Sequence, residues 1–259
     1  MDTLFSMKGK ICLVTGGSRG LGYYMARGFL EAGAARVYIT ARKAEACLQA
    51  AEMLSKSGEC IAIPGDVSVL EGIRDLAAKI SEKEDRLDVL VNNAGAGWGA
   101  PIDAFPENGW DKVMDLNVKS PFFLTQACLE LLRKGKSPDN TASIINIGSI
   151  AGIVATSLSS YSYGPSKAAI HQMTRNLAKD LADDHIRVNA IAPGRFFSKM
   201  TEYVSKDKAA YDEECKVIPL HRWGKAEDIA GVAIMLCSRA GAYMTGQIIP
   251  IDGGSSLGS

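Results

Sequence analysis

The run Lys10-Ile11-Cys12-Leu13-Val14-Thr15, followed by Gly16-Gly17-Ser18-Arg19-Gly20-Leu21-Gly22, decides the fold. The first six residues read as a strand, and the helix-period stretch Gly20–Ala32 begins inside the glycine cluster. Glycine between the two lets the backbone turn tightly. It also lets a pyrophosphate approach main-chain N–H groups at the helix N-terminus. A glycine cluster carries that meaning only between a strand and a helix, and here it has both.

The same rhythm continues outward. Arg36–Ala41, Cys60–Pro64, Leu87–Asn92, Ser143–Gly148, Ile186–Ile191 and Gln247–Ile251 read as further strands. Several are continuously apolar, as expected where helices cover both faces of a parallel sheet. Between them lie the helix-period stretches Ala44–Ser57, Leu70–Lys83, Gly109–Arg133, Ser166–Asp183 and Lys225–Ser238. Strict alternation of this kind predicts one α/β domain over residues 1–259: a Rossmann-like, doubly wound parallel sheet of about seven strands with helices on both faces. The segment Arg195 to Gly224 breaks the pattern with Phe196, Phe197, Met200, Tyr203 and Tyr211 among charged residues. A long connection at the carboxyl edge of a sheet is where a substrate lid is expected.

Composition narrows the function classes. Lys plus Arg and Asp plus Glu number 29 each, so the formal net charge is zero. No field favours nucleic acid or an anionic membrane as a partner, and any anion site must be local. No leader pattern opens the chain and no apolar run is long enough to span a bilayer, so a cytoplasmic protein is expected. The six cysteines and three histidines are scattered without metal-ligand spacing. They predict buried free thiols, no disulfide framework and no metal site.

The end of the second predicted strand selects the cofactor. Thr40-Ala41-Arg42 offers no carboxylate to grip a free ribose 2′-OH. Arg42 beside the small Ala41, with Arg19 in the glycine loop, would instead bind a 2′-phosphate through charge-assisted contacts. The expectation is NADP(H), held by Gly16, Ser18, Arg19, Gly20, Leu21, Gly22, Ala41 and Arg42.

Tyr163 and Lys167 stand four apart at the head of an amphipathic stretch, with Pro165 suited to a first helical turn. On a helix, that spacing turns phenol and ammonium toward one pocket. Ser149 closes the fifth strand, and Asn92-Asn93-Ala94-Gly95 closes the fourth at the same edge. Asn117 falls mid-helix, where asparagine needs a reason to be present. Ligands in such sheets bind beyond the carboxyl ends of the strands, so these elements should meet.

Taken in order, the glycine loop at 15–22, Asp66, Asn92-Asn93-Ala94-Gly95, Asn117, Ser149, Tyr163-x-x-x-Lys167 and Pro193-Gly194 resemble the short-chain dehydrogenase/reductase family over essentially the whole chain. The resemblance implies that Asn117, Ser149, Tyr163 and Lys167 form a catalytic tetrad. It places Asp66 and Val67 against adenine, and Asn93, Ala94 and Gly95 along the adenosine side. It places Pro193, Gly194, Phe196 and Ser198 near the nicotinamide, and has Tyr163 and Lys167 touch the cofactor as well. Relatives are commonly homotetramers, which makes the glycine-rich segment Met244–Gly254 a candidate for assembly. The Ser149–Tyr163 gap is one residue longer than the commonest family spacing.

The implied chemistry is hydride transfer between nicotinamide and a carbonyl carbon. Charge left on oxygen must be protonated or stabilised as it develops. Tyrosine's reference pKa of about 10 is high for this work, and a neighbouring ammonium and the positive nicotinamide are expected to lower it. Ser149 would donate to the substrate oxygen, and Asn117 would hold a water that refills the proton chain.

Trp98, Phe196 and Phe197 suggest apolar pocket walls, or else packing within the lid or an interface. Trp98-Gly99-Ala100, Ile191 to Phe196, Arg222-Trp223-Gly224 and Gly241 to Gly246 are similar to the bacterial NADPH-dependent β-ketoacyl reductases of that family. A 3-oxoacyl thioester or β-keto ester is therefore the leading substrate. Sugar or polyol oxidation and reduction of xenobiotic ketones are the alternatives, since fold and tetrad do not fix the substrate. A non-catalytic NADPH-sensing module would have no need of Tyr163.

Overall fold

Along the first strand, successive residues go to opposite sides of the sheet. Cys12 and Val14 enter one core, and Ile11 and Leu13 enter the other. Tyr38 and Leu90 likewise face away from Val37, Ile39, Val89 and Val91. This two-sided burial is why the strands read as unbroken apolar runs rather than as an alternation. The computed structural model describes residues 3–155, 159–197, 204 and 207–257.

Seven parallel strands form one sheet in the order β3-β2-β1-β4-β5-β6-β7. They are β1 Ile11–Thr15, β2 Arg36–Thr40, β3 Cys60–Ala62, β4 Val89–Asn92, β5 Ala142–Ile147, β6 Ile186–Pro193 and β7 Ile248–Ile251. The helices are α1 Gly20–Glu31, α2 Ala44–Leu54, α3 Leu70–Ser81, α4 Glu107–Met114, α5 Ser120–Ala127, α6 Leu129–Arg133, α7 Tyr163–Asp180, α8 Lys208–Lys216 and α9 Ala226–Cys237. One core joins α1, α2 and α9 to the sheet through Phe29, Leu54 and Leu236. The other joins α3, α5, α6 and α7 through Ile80, Leu124, Leu132 and Ala178. Strand order reverses between β1 and β4, which opens a crevice at their carboxyl ends.

Two expected helices differ from the structure in form. The stretch Gly109–Arg133 begins earlier, at Glu107, and is divided: a π-helical turn over Asp115–Lys119 separates α4 from α5, and α6 follows. Pro121 explains part of this, because it cannot donate to the carbonyl of Asn117 four residues back. The helix expected over Ser166–Asp183 starts three residues earlier, so Tyr163 lies in its first turn and Lys167 in its second.

All six cysteines are free and buried. Among the described residues, no cluster of His, Cys, Asp or Glu could hold a metal, and no helix is long and apolar enough to cross a membrane.

The segment 195–224 has a small core of its own. Val204, Cys215, Ile218 and Trp223 are buried together, and Phe197 stacks on Tyr211 and packs against Trp223 with centroids 5.8 and 5.0 Å apart. Two staples tie it down. Gly224 N donates to the Arg195 carbonyl (2.8 Å) and Leu220 N to the Gly253 carbonyl (3.0 Å).

Candidate active site

The glycine loop lies against its neighbours so closely that side chains are excluded. Gly16 and Gly20 have φ of +64° and +56°, a region that favours glycine. A Cβ on Gly22 would come within 2.5 Å of both Asn93 Nδ2 and the Gly16 carbonyl. Gly17 N donates to the Thr40 carbonyl (3.2 Å), which draws the loop over the end of β2. No carboxylate occupies the first turn of α1 and no side chain caps it. Its N–H groups and the helix dipole are therefore left for an anion. A bare-backbone cradle of this shape fits the pyrophosphate of a dinucleotide. Ser18, Arg19 and Leu21 belong to the same turn, and Arg19 is exposed.

Ala41 and the exposed Arg42 follow β2, whose end is in register with β1 at Thr15–Thr40, so both arginines stand at one edge. Exposed Lys43 is a third cation there, leading into α2; its adjacency to Arg42 in the sequence was the available signal. Asp66 lies beyond β3, with Oδ1 accepting from Ser68 N and Oγ (2.9 and 2.6 Å). Val67 is buried in the core beneath it.

Asn93 ties the fourth strand's end to the loop, donating from Nδ2 to the Thr15 and Gly16 carbonyls (2.7 and 3.2 Å). Thr15, given no role by sequence reasoning, pins the same junction. Its Oγ1 accepts from Asn93 N and Ala94 N (3.0 and 2.9 Å). Gly95 lies between the two sites: a Cβ there would be 3.2 Å from Asn117 Oδ1 and 3.7 Å from Lys167 Nζ. Pro193 ends β6, Gly194 packs on Asp252, and Phe196 is buried against Gly224. Ser198 lies outside the described residues, as do Met200 and Tyr203.

Ser149, Tyr163, Lys167 and Asn117 converge. Lys167 is buried and donates from Nζ to the Ile147 carbonyl (2.8 Å), with the ammonium 5.6 Å from the Tyr163 ring centroid. Ser149 hydrogen-bonds the Tyr163 hydroxyl. Desolvation lowers the Lys167 pKa to about 8. Without the cofactor, burial pushes the Tyr163 pKa up, and the bond from Ser149 opposes the rise.

The Asn117 side chain is fully engaged with protein. Its Oδ1 accepts from Ala96 N (2.8 Å), and its Nδ2 donates to the Ala96 carbonyl and Ser166 Oγ (both 2.9 Å). Both amide hydrogens are committed to protein, so the side chain clasps the fourth strand's loop to α7. Ser166, overlooked beside Lys167 in the sequence, completes that clasp by donating to the Tyr163 carbonyl (2.7 Å).

Of the two expectations for the aromatics, the visible contacts fit packing. Trp98 lies over Gly109 with the Lys112 ammonium 5.1 Å from its ring, Phe196 packs against Gly224, and Phe197 packs against Trp223. A cavity of about 440 Å³ opens at the surface between Ile102, Phe105, Pro106, Glu107, Trp110 and Tyr161, and none of the four converging residues lines it. Closer to the reacting groups, a Cβ on Gly97 would lie 3.8 Å from Tyr163, and Ala100 N donates to the Ser159 carbonyl (2.9 Å).

Known proteins share this arrangement. A family model described as enoyl-(acyl carrier protein) reductase matches residues 16–256. The rhamnolipids biosynthesis 3-oxoacyl-[acyl-carrier-protein] reductase of Pseudomonas aeruginosa is 54% identical over 99% of this chain and 100% of its own length. Gluconate 5-dehydrogenase of Gluconobacter oxydans is 34% identical over 98% of this chain and 97% of its own. The crystallographic Pseudomonas aeruginosa RhlG/NADP active-site complex superposes with a TM-score of 0.97 at 54% identity, covering 99% of this chain and 100% of that one. A match running from the glycine loop almost to the C-terminus, with more than half the residues identical to one full-length relative, makes this chain a member of the short-chain dehydrogenase/reductase family.

Proposed function

We propose that the protein is an NADPH-dependent carbonyl reductase acting on 3-oxoacyl thioesters or β-keto esters. The observation that carries this reading is the convergence of Ser149, Tyr163 and Lys167 beyond a bare-backbone anion cradle, in a chain 54% identical to a 3-oxoacyl-[acyl-carrier-protein] reductase. Gly16 to Gly22, Ala41, Arg42, Asp66, Val67, Asn93 to Gly95, Pro193, Gly194, Phe196 and Ser198 would hold the cofactor, with Lys167 on its nicotinamide ribose.

Bound NADPH supplies the hydride that reduces the carbonyl carbon. Ser149 donates a hydrogen bond to the substrate oxygen and so favours the charge that gathers there. Tyr163 gives its hydroxyl proton to that oxygen. Lys167 places a charge beside the phenolate left behind. The Asn117 carbonyl, deprived of its α-helical donor by Pro121, takes the water through which the phenol regains its proton.

Identity of 54% to the 3-oxoacyl reductase against 34% to the gluconate dehydrogenase favours an acyl chain over a sugar acid. The gluconate dehydrogenases among the relatives keep sugar-acid reduction as the second reading. Following NADPH absorbance with short- and long-chain 3-oxoacyl thioesters and with 5-ketogluconate separates the two. Turnover of the thioesters is expected, and turnover of ketogluconate alone would reverse the assignment.

Replacing Arg19 and Arg42 together by alanine should raise KM for NADPH at least about tenfold more than KM for NADH, given about 1.5–3 kcal/mol for a charge-assisted hydrogen bond. Equal changes in the two would remove the 2′-phosphate site. Exposed apolar residues around the C-terminal segment, Tyr243 fully so and Val217, Leu220 and Leu257 at 64–81%, suit the homotetramer of a cytoplasmic enzyme.

A further inference from the structure

One turn beyond Lys167 on α7, His171 is 4% exposed, and the reaction described above makes no use of it. Its ring bonds the backbone of Gly152, while Nε2 has no partner, so the bond uses Nδ1. Nε2 lies against Gly148, where a Cβ would come within 2.0 Å of it. Gly148 and Gly152 flank the turn that carries Ser149, and that turn is pressed onto α7. A Cβ on Gly152 would lie 2.6 Å from Ala168 N and the Lys167 carbonyl carbon. Backbone and Ser149 hydrogen bonds brace the turn internally and to β6: Ala151 N donates to Ser149 Oγ (3.1 Å), Gly152 N to the Ser149 carbonyl (3.0 Å), and Gly148 N to the Ile191 carbonyl (2.7 Å).

We propose that His171 is a positioning residue that fixes the Ser149 turn against helix α7, setting the register between the Ser149 hydroxyl and Tyr163. The helix carries the phenol and the ammonium, and the turn carries the serine. The imidazole bonds one glycine of that turn and fills the space left by the other. The missing side chain at Gly148 is the complement of the large ring at 171, and the missing side chain at Gly152 lets the turn press onto the backbone of α7. The ring works in its neutral form. The charged groups facing it are Lys167 and Arg175 of its own helix, and with burial they lower its pKa to about 4. Near neutrality it therefore adds no second cation beside Lys167.

The inference rests on the reading of Ser149, Tyr163 and Lys167 as the reacting groups. The experiment compares His171→Leu, which fills the space without bonding, with His171→Asn, which keeps an N–H for Gly152. Turnover, NADPH affinity and the pH profile of alcohol oxidation are measured on the full chain. His171→Leu should lose about ten- to a hundredfold in kcat with NADPH Kd within threefold, because a misplaced catalytic group costs that much. The acid limb of its oxidation profile should move to higher pH, since the Ser149 bond that restrains the Tyr163 pKa is weakened. His171→Asn should recover most of the turnover and the profile. A folded His171→Leu enzyme with unchanged kcat and profile overturns the proposal. So does a loss that His171→Asn shares in full, which marks a purely structural role. If His171→Leu does not fold, His171→Ala is read in the same way. Failure of the wild-type enzyme to reduce any 3-oxoacyl substrate is a separate result, and it removes the proposed function instead.

Discussion

Replacing Tyr163 by phenylalanine is expected to cut kcat by about a thousandfold or more while leaving NADPH affinity within about threefold, because a positioned proton donor contributes about 10²–10⁴ in rate. That loss corresponds to about 4 kcal/mol of transition-state stabilisation. The substitution removes one oxygen and little volume, and Lys167 keeps its bond to the Ile147 carbonyl. The glycine cradle and the arginine edge are untouched, so the cofactor should still bind. The burial that raises the Tyr163 pKa sharpens the expectation further. A phenol held well protonated near neutrality is suited to giving its proton in the reductive direction. Alcohol oxidation needs the phenolate and should therefore gain rate as pH rises. Stopped-flow kinetics with a β-keto ester, paired with fluorescence titration of NADPH, checks both parts. Near wild-type turnover would sink the assignment of Tyr163 as the donor.

The strands could be read from the sequence because both faces of the sheet are covered. Leu13 and Val14 enter different cores, and the same apolar run serves both. The helix expected over Gly109–Arg133 was legible as helix but not as interrupted helix. Its apolar spacing hardly changes through the π-helical turn, and only Pro121 hinted at the break. The apolar period of α7 begins only at Ser166 because Tyr163-Gly164-Pro165 includes two poor helix formers, although their place in the first turn makes them acceptable.

At the site, identities and spacing were legible and energetics were not. Spacing places Tyr163 and Lys167 on one helical face, and the Lys167 ammonium lies 5.6 Å from the Tyr163 ring centroid. The direction of the Tyr163 shift depends on how deeply the fold encloses the phenol, and no local pattern encodes that. Sequence cannot show that Ala96 and Ser166 use both amide hydrogens of the Asn117 side chain. Trp98, Phe196 and Phe197 were ambiguous for a related reason. Composition supplies aromatic surface without saying whether a ligand or Gly109, Gly224 and Tyr211 will cover it.

Lys167→Met should abolish catalysis and yet make the cofactor-free protein more stable near neutral pH. The wild-type ammonium is 5% exposed and donates to the Ile147 carbonyl, and burial still lowers its pKa from 10.5 to about 8. The sign follows from proton counts. Between pH 8 and 10.5 the unfolded chain binds more protons at this residue than the folded one, so wild-type stability rises with pH across that window. Below pH 8 both states are charged and the folded state bears the whole penalty, about 3 kcal/mol at about 1.36 kcal/mol per pKa unit. Methionine carries no charge to desolvate and fills a similar space, while the Ile147 carbonyl loses its donor at a cost of about 1–3 kcal/mol. The variant should therefore melt at a slightly higher temperature at pH 7, with the difference shrinking and then reversing as pH climbs toward 10. A variant less stable than wild type by the same margin at both pH values would show that no buried charge is being held against its solvation. In that case Lys167 would have to be a packing residue, not a charge kept in place for the reaction.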